Sequence, residues 1–244
     1  MSIGVLVITY NEEEMLADCL DSVTWADEIV VVDSDSKDKT REIAKEYTDK
    51  VYIREFDNFS NQRNFGLDKL KSDWILVLDA DERITTELQA EIEKKIATGG
   101  YDLYQIPRKN FFLGKWIRYA GWYPDYTDRL FKNDQSIRYA GDVHECPTFT
   151  GKKGRMDQPM IHYTYQDIAS YMEKVNHYTT LSARESSKDP SLFYVFIRSF
   201  FEFFNFLLFK KAFLLGREGL VLTAISTVSK FLKYIKIWEK NRKD

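Results

Sequence analysis

The segment Trp74-Ile-Leu-Val-Leu-Asp79-Ala-Asp81-Glu82 sets two carboxylates one residue apart directly after an unbroken apolar run. A hydrophobic strand that stops at such a pair presents hard oxygen ligands at its carboxyl end. That is the donor set Mg²⁺ or Mn²⁺ takes when it neutralises a diphosphate. Alone, Asp-x-Asp reads equally well as a solvated acidic turn, so its context decides. Three further segments supply that context: Thr9-Tyr10-Asn11-Glu12-Glu13, Val32-Asp33-Ser34-Asp35-Ser36 and Asn61-Gln62-Arg63-Asn64-Phe65-Gly66.

The elements that would position these residues follow from periodicity. Residues 3–9, 28–33, 50–54 and 74–79 are short, β-branched and mostly continuous in apolarity, which predicts strands. Residues 13–23, 37–47 and 60–70 carry apolar side chains at helical spacing. Alternation of this kind predicts an α/β fold, a mainly parallel sheet flanked by helices with ligand loops at the carboxyl ends of the strands. Asn11, Asp33 and Asp79 fall at those ends. From Tyr101 to Tyr165 aromatic strand-like pieces (103–107, 127–131, 160–165) separated by Gly and Pro predict an antiparallel extension walling a pocket. Beyond it the pattern is helical, with Asp167 as an N-cap and Pro190 as a break. The expected domains are 1–166, in two halves 1–100 and 101–166, and a helical region 167–244.

At 244 residues, 44% hydrophobic and 30% charged, the chain is long enough for one α/β domain and an appendage and is not a disordered polymer. Two cysteines, Cys19 and Cys146, exclude a disulfide framework or a thiolate zinc site and point to a reducing compartment. The net charge of -3 argues against a nucleic-acid coat. It conceals an asymmetry: residues 184–244 hold 12 Lys and Arg against 6 Asp and Glu, so the tail is basic and the body acidic. The apolar run Ile3–Ile8 has no basic residue before it and meets Asn11-Glu12-Glu13-Glu14, unlike a secretory signal, so a cytoplasmic protein is expected.

The stretch 192–209 carries eight Phe and also Arg198, Glu202 and Asn205, which a spanning helix would have to hide. Lys210 and Lys211 follow it, and a second amphipathic helix bears Lys230, Lys233, Lys236 and Lys240. This predicts an interfacial helix pair on the inner membrane surface, aromatics in the acyl boundary and lysines on anionic head groups. The competing reading is a helical subdomain that packs on the rest of the chain or forms a homodimer.

The four motifs, in this order and spacing over the first hundred residues, resemble the inverting glycosyltransferases of family 2. Their GT-A fold binds a nucleotide-sugar donor across the ends of a parallel sheet. The resemblance implies that Thr9, Tyr10 and Glu12 line the base and ribose pocket, and that Asp33 accepts hydrogen bonds from base or ribose. It implies Arg63 near the base and diphosphate, Asp79 at the ribose or metal, and Asp81 on a divalent metal, Mn²⁺ or Mg²⁺. Arg63 is otherwise a surface helix arginine. The later segments Gly121-Trp-Tyr-Pro-Asp125, Arg129-Leu-Phe131 and Asp142-Val-His144-Glu145, with Phe213-Leu-Leu-Gly216-Arg-Glu-Gly219 in the tail, resemble a narrower group. These are the bacterial transferases of lipopolysaccharide core assembly, including β-1,4-glucosyltransferases. Leu215 and Arg217-Glu218 depart from that group's Gly-rich turn.

The implied reaction moves a sugar, from a UDP-hexose, to a glycan or lipid-linked acceptor. Inversion needs one general base on the acceptor hydroxyl. Glu145 is the candidate and Asp142 the runner-up, with capping as the latter's alternative role. A distal histidine completes the metal shell in some GT-A enzymes, and His162, at the end of a predicted strand, is the candidate; His144 and His162 are otherwise structural, and His177 is an ordinary helix residue. A haloacid-dehalogenase-like phosphatase would need its Asp pair on the first strand, which ends in Tyr-Asn-Glu instead. A nucleotidyltransferase lacks its Gly-rich basic loop here. In Gln135-Ser-Ile-Arg138-Tyr139 the pattern of processive synthases precedes the proposed base rather than following it. A non-catalytic nucleotide-binding membrane adaptor would be expected to lose the carboxylates, and all are present.

Overall fold

The computed structural model describes residues 1–134, 136–141, 146–165 and 167–242. The strands are β1 (Ile3–Thr9), β2 (Glu28–Asp33), β3 (Val51–Ile53), β4 (Trp74–Asp79), β5 (Glu82–Arg83), β6 (Leu103–Phe112), β7 (Lys115–Trp116), β8 (Asp125–Lys132), β9 (Arg138–Ala140), β10 (Cys146–Thr148), β11 (Lys153–Arg155) and β12 (Met160–Tyr165). The helices are α1 (Leu16–Asp21), α2 (Thr40–Tyr47), α3 (Phe59–Leu67), α4 (Thr86–Thr98), α5 (Ile168–Arg184), α6 (Leu192–Phe204) and α7 (Arg217–Lys240). The chain divides into two compact units, 1–109 with 125–162, and 110–124 with 163–244.

In the first unit the strand order is β3-β2-β1-β4-β8-β6. The first four strands are parallel, and β8 is antiparallel to both β4 and β6. All seven residues of β1 are buried, which explains its continuous apolarity: a strand covered on both faces has no solvent side to alternate toward. Because β2 and β4 lie on opposite sides of β1, strand order reverses there. The register aligns Thr9 with Asp33 and Ile8 with Asp79, so three motif-bearing ends open on one crevice.

The first helices start later than their apolar spacing predicts, because two loops lock onto each other. Asn11, held at φ 52°, accepts a hydrogen bond from Lys37 N on Oδ1. Glu12 N donates to Thr40 Oγ1 and Lys39 N to the Glu13 carboxylate. Residues 12–14 and 37–39 are thereby committed to loop contacts. Helix α4 lies outside the predicted helices, although Thr85 caps it and Leu88, Ile92 and Ile96 line its buried face.

The second unit joins segment 110–124 to the C-terminal helices, where the expected boundary lay at residue 166. Phe112, Ile117 and Ala120 share a buried cluster with Val175, Phe206, Leu215, Leu222 and Ile225, and this packing draws the segment to the helices. Asp167 caps α5 by accepting from Ser170 N, and Pro190 lies between α5 and α6, as expected. The regular part of α6 ends at Phe204 and continues as one π-turn through Phe209. Val195, Ser199 and Phe206 are its buried positions, whereas Phe193, Phe196, Phe200, Phe201, Phe203, Phe204 and Phe209 are exposed. Glu202 accepts from Ser226 Oγ at 2.9 Å and lies 3.6 Å from Lys230 Nζ, so α7 neutralises the carboxylate inside this apolar stretch.

Besides Lys230, beside Glu202, two more of the lysines expected on head groups are placed elsewhere. Lys236 Nζ donates to Asn176 O, Asn176 Oδ1, Thr179 Oγ1 and Thr180 Oγ1, and Lys240 Nζ to Arg184 O and Ser186 O. The end of α5 presents unpaired carbonyls and the negative pole of its dipole, and the Lys240 ammonium caps it, whereas Lys236 is taken up by polar groups midway along the same helix. Lys210, Lys211 and Arg217, beside exposed Phe209, Phe213 and Leu214, are exposed.

Candidate active site

The site is built on the ends of β1, β2 and β4 and on α3. Thr9 is buried, and its Oγ1 has no hydrogen-bond partner among the described residues. Tyr10 is 56% exposed, its ring open to a stacking partner. Glu12 is half-buried, its backbone tied to Thr40 as above. The Asp33 carboxylate is fully buried and accepts from Ser36 N at 2.9 Å and from Ser36 Oγ, with Arg41 Nε 4.0 Å away. Its oxygens are thus held by the turn that follows β2.

Arg63 is only 4% exposed, which removes the surface-arginine reading. Helix α3 turns it inward because Gly66, one turn on, lets the helix lie directly on Leu6 of β1. The guanidinium donates to Asp79 Oδ1 at 2.7 Å and stands over the rings of Tyr139 and Phe59, at 5.3 and 5.8 Å. Asp79 Oδ2 accepts from Arg129 Nη2 at 2.5 Å. Burial opposes charge on Asp79, but the Arg129 and Arg63 guanidiniums prevail and hold its carboxyl well below the usual carboxylate range. Both Asp79 oxygens are therefore engaged by guanidinium hydrogens.

Asp81 is placed differently. Its Oδ2 lies 3.3 Å from His162 Nε2, while its buried Oδ1 has no partner among the described residues. The two residues are 81 positions apart and meet because β5 pairs antiparallel with β12, aligning Glu82 with His162 and Arg83 with Ile161. Arg83 clamps the turn from below, donating to Ala80 O at 2.7 Å and to Met15 O at 2.5 Å.

Of the predicted residues, the structure brings Arg63 to Asp79 and Asp81 to His162, and it aligns Thr9 with Asp33. Asp142, His144 and Glu145 lie outside the described residues. The chain before them is tied to α3: Asn64 exchanges two hydrogen bonds with the Tyr139 backbone, and Ser60 Oγ donates to Gly141 O at 2.6 Å. Tyr139 is buried among these groups, and burial pushes its phenol up to about 12.

Sequence reasoning gave no role to Arg129, Glu82, Arg108 or Tyr139. Glu82 is fully buried, accepts from Arg129 Nη2 at 2.7 Å and from Asp79 N at 3.0 Å, and has Arg108 Nη1 3.7 Å away. A signal did exist. Glu82 follows the apolar strand β4 and Arg129 directly precedes Leu130-Phe131 inside β8, and a charge buried beside such residues must be paired.

Residues 4–176 match the model of the family described as glycosyl transferase family 2. An uncharacterized glycosyltransferase of Rickettsia conorii is 28% identical, aligning 99% of this chain with 91% of its own. The lipopolysaccharide core biosynthesis glycosyltransferase LpsC of Rhizobium meliloti is 24% identical, covering 99% of this chain and 93% of that protein. Among solved structures, S. aureus TarS 1–349 in complex with UDP-GlcNAc superposes with a TM-score of 0.53 at 15% identity, over 100% of this chain and 92% of that one, a likeness of fold. With a family match spanning most of the sequence and motif residues gathered at the strand ends of a GT-A-like fold, the chain belongs to glycosyl transferase family 2 and is a glycosyltransferase.

Proposed function

We propose that the protein is a metal-dependent inverting transferase that moves a hexose from a UDP-sugar to a glycan or lipid-linked acceptor in cell-envelope assembly. The observation that carries this reading is the pairing of Asp81 with His162 at 3.3 Å, beside Asp79 on Arg63, where β1 and β4 end. A divalent cation fits the residues present. Asp81 offers a buried oxygen without a partner among the described residues and His162 an imidazole nitrogen beside the other oxygen, a donor set that suits Mn²⁺. Asp79 would reach such a cation only through the lone pairs its two arginines leave. When bound, the metal would stabilise negative charge on the departing diphosphate.

The remaining chemistry belongs to the chain. Tyr10 and Thr9 bind the base and ribose, with Asp33 and Glu12 beside them. Arg63 supplies fixed positive charge to the diphosphate from a site where water competes little. A carboxylate, Glu145 or else Asp142, takes the proton of the acceptor hydroxyl as its oxygen attacks the anomeric carbon. The bond from that carbon to the diphosphate oxygen breaks on the opposite face, which inverts the configuration. The likeness to LpsC over nearly the whole of both chains supports a lipopolysaccharide-type acceptor.

The second unit is read as the attachment to the cytoplasmic face of the membrane. Seven exposed phenylalanines and the cations at residues 210, 211 and 217 suit an acyl boundary with head groups beside it. Since α7 takes up Glu202 but Arg198 stays exposed, α6 suits lying in the interface better than crossing it. Homodimerisation through this face is the competing outcome.

The deciding experiment measures thermal shift and calorimetric binding with UDP- and GDP-sugars, with and without Mn²⁺. UDP-hexose binding that needs Mn²⁺ and is lost in a folded Asp81→Asn variant is expected. Undiminished binding by that variant, or by wild type in excess chelator, refutes the metal assignment.

A further inference from the structure

We infer that Arg129 is a positioning residue for the donor site: it fixes the acidic turn through Glu82 and holds Asp79 against Arg63. This rests on the donor reading above. β8 runs antiparallel beside β4, with Leu130 opposite Leu76, and so delivers Arg129 to the end of β4. One terminal nitrogen, Nη2, donates to both Asp79 Oδ2 and Glu82 Oε1. Glu82 in turn accepts the Asp79 backbone N–H on Oε2. Residues 79 and 82 are thereby closed into one turn gripped at both ends by a single guanidinium, and Asp81 rides in the middle of it.

The effect reaches Arg63 through Asp79. With Oδ2 fixed by Arg129, Oδ1 has one direction in which to receive Arg63 Nη2. The four charges of Arg63, Asp79, Arg129 and Glu82 balance, and Glu82 and Arg129 are almost wholly withdrawn from solvent, at 0% and 6% exposure. Buried partners of this kind keep their geometry because separating them strands a desolvated charge. Arg108 lies farther from Glu82, at 3.7 Å, and is itself held by Asp125 at 2.6 Å, so it is poorly placed to replace Arg129. Removing Arg129 frees one oxygen of Asp79 and loosens the turn that carries Asp81. Arg129 thus acts on the donor without touching it.

The test separates positioning from simple stabilisation. Arg129→Met alone leaves Glu82 buried and charged, so the working variant is Arg129→Met with Glu82→Gln, compared with Arg129→Lys. Each is assayed by calorimetric titration with UDP and with GDP in Mn²⁺, well below its own melting temperature and with circular dichroism verifying the fold. Supporting groups one step from a ligand typically contribute roughly 10–100-fold in affinity, and that loss is expected for the double variant, with substantial recovery in Arg129→Lys. Adding Asp79→Asn to the double variant should then cost little more, since both act through one carboxylate. A folded double variant that binds nucleotide as wild type does, or losses that simply multiply with Asp79→Asn, overturns the proposal. A wild-type protein that binds neither nucleotide refutes the donor reading itself, and the proposal with it.

Discussion

Replacing Gly66 with alanine tests the link between core packing and the donor site. A Cβ at this position would lie 2.2 Å from Leu6 Cδ1, 2.9 Å from Cδ2 and 3.1 Å from Cγ, and Leu6 is fully buried in β1. Overpacking of this kind costs about 1–3 kcal/mol, while alanine in place of glycine inside a helix returns about 1 kcal/mol. The net expected loss is therefore about 0–2 kcal/mol. A double-mutant cycle sharpens it. Leu6→Ala deletes all three contacting atoms and by itself costs about 2–5 kcal/mol. In the double variant the new methyl occupies part of the space that leucine vacates, so the pair should be more stable than the sum of the single effects by about 1–3 kcal/mol. Hydrogen exchange of the β1 and α3 amides across a urea series measures this within the first unit. The same helix carries Arg63, so Gly66→Ala should also weaken nucleotide binding, and Leu6→Ala should partly restore it. Additivity within about 0.5 kcal/mol would show that α3 moves away freely and that Gly66 does not set its distance from the sheet.

The Asp79 carboxyl is held below its unfolded pKa, so its stabilisation is complete above the ordinary carboxylate pKa and declines as pH falls below it. Urea unfolding of wild type and Asp79→Asn should accordingly converge as pH drops below about 4, and a gap that widens on acidification would reverse the sign of the argument. Glu145→Gln should keep nucleotide affinity within a few-fold while turnover falls roughly a hundredfold, measured by nucleotide release with an accepted donor. Normal turnover in that variant and loss in Asp142→Asn would move the base to Asp142. In flotation with vesicles of neutral and anionic phospholipid, Phe200→Glu with Phe204→Glu should abolish binding, and Lys210→Gln with Lys211→Gln should weaken only the anionic case. A protein that ignores both vesicles and forms a dimer requiring α6 would assign the aromatic face to a second copy. Lys236→Met should lower the melting temperature without changing vesicle binding, because its ammonium bonds to α5; weaker flotation with unchanged stability would contradict that placement.

Local sequence determined the parallel half of the fold. The bounds of β1, β2 and β4 follow directly from β-branched apolar runs that end in polar residues, because strands buried on both faces leave their pattern in consecutive residues. The cap at Asp167 and the break at Pro190 were legible for the same reason: their chemistry acts within a few bonds. The motifs at the strand ends, on which the proposed donor site rests, are local in sequence as well. Tertiary structure decided what those residues touch. The pairing of β5 with β12 brings His162 to Asp81 across 81 positions, and the antiparallel placement of β8 brings Arg129 to Asp79. The family resemblance pointed to His162 and nothing pointed to Arg129; spacing alone identifies neither, since a sheet register joins residues whose separation in sequence is arbitrary. The lysines of α7 show the same limit. Their amphipathic spacing is real, but an ammonium satisfied by a neighbouring helix and one free for a head group have the same local sequence. Only the packing of α5 against α7 distinguishes them.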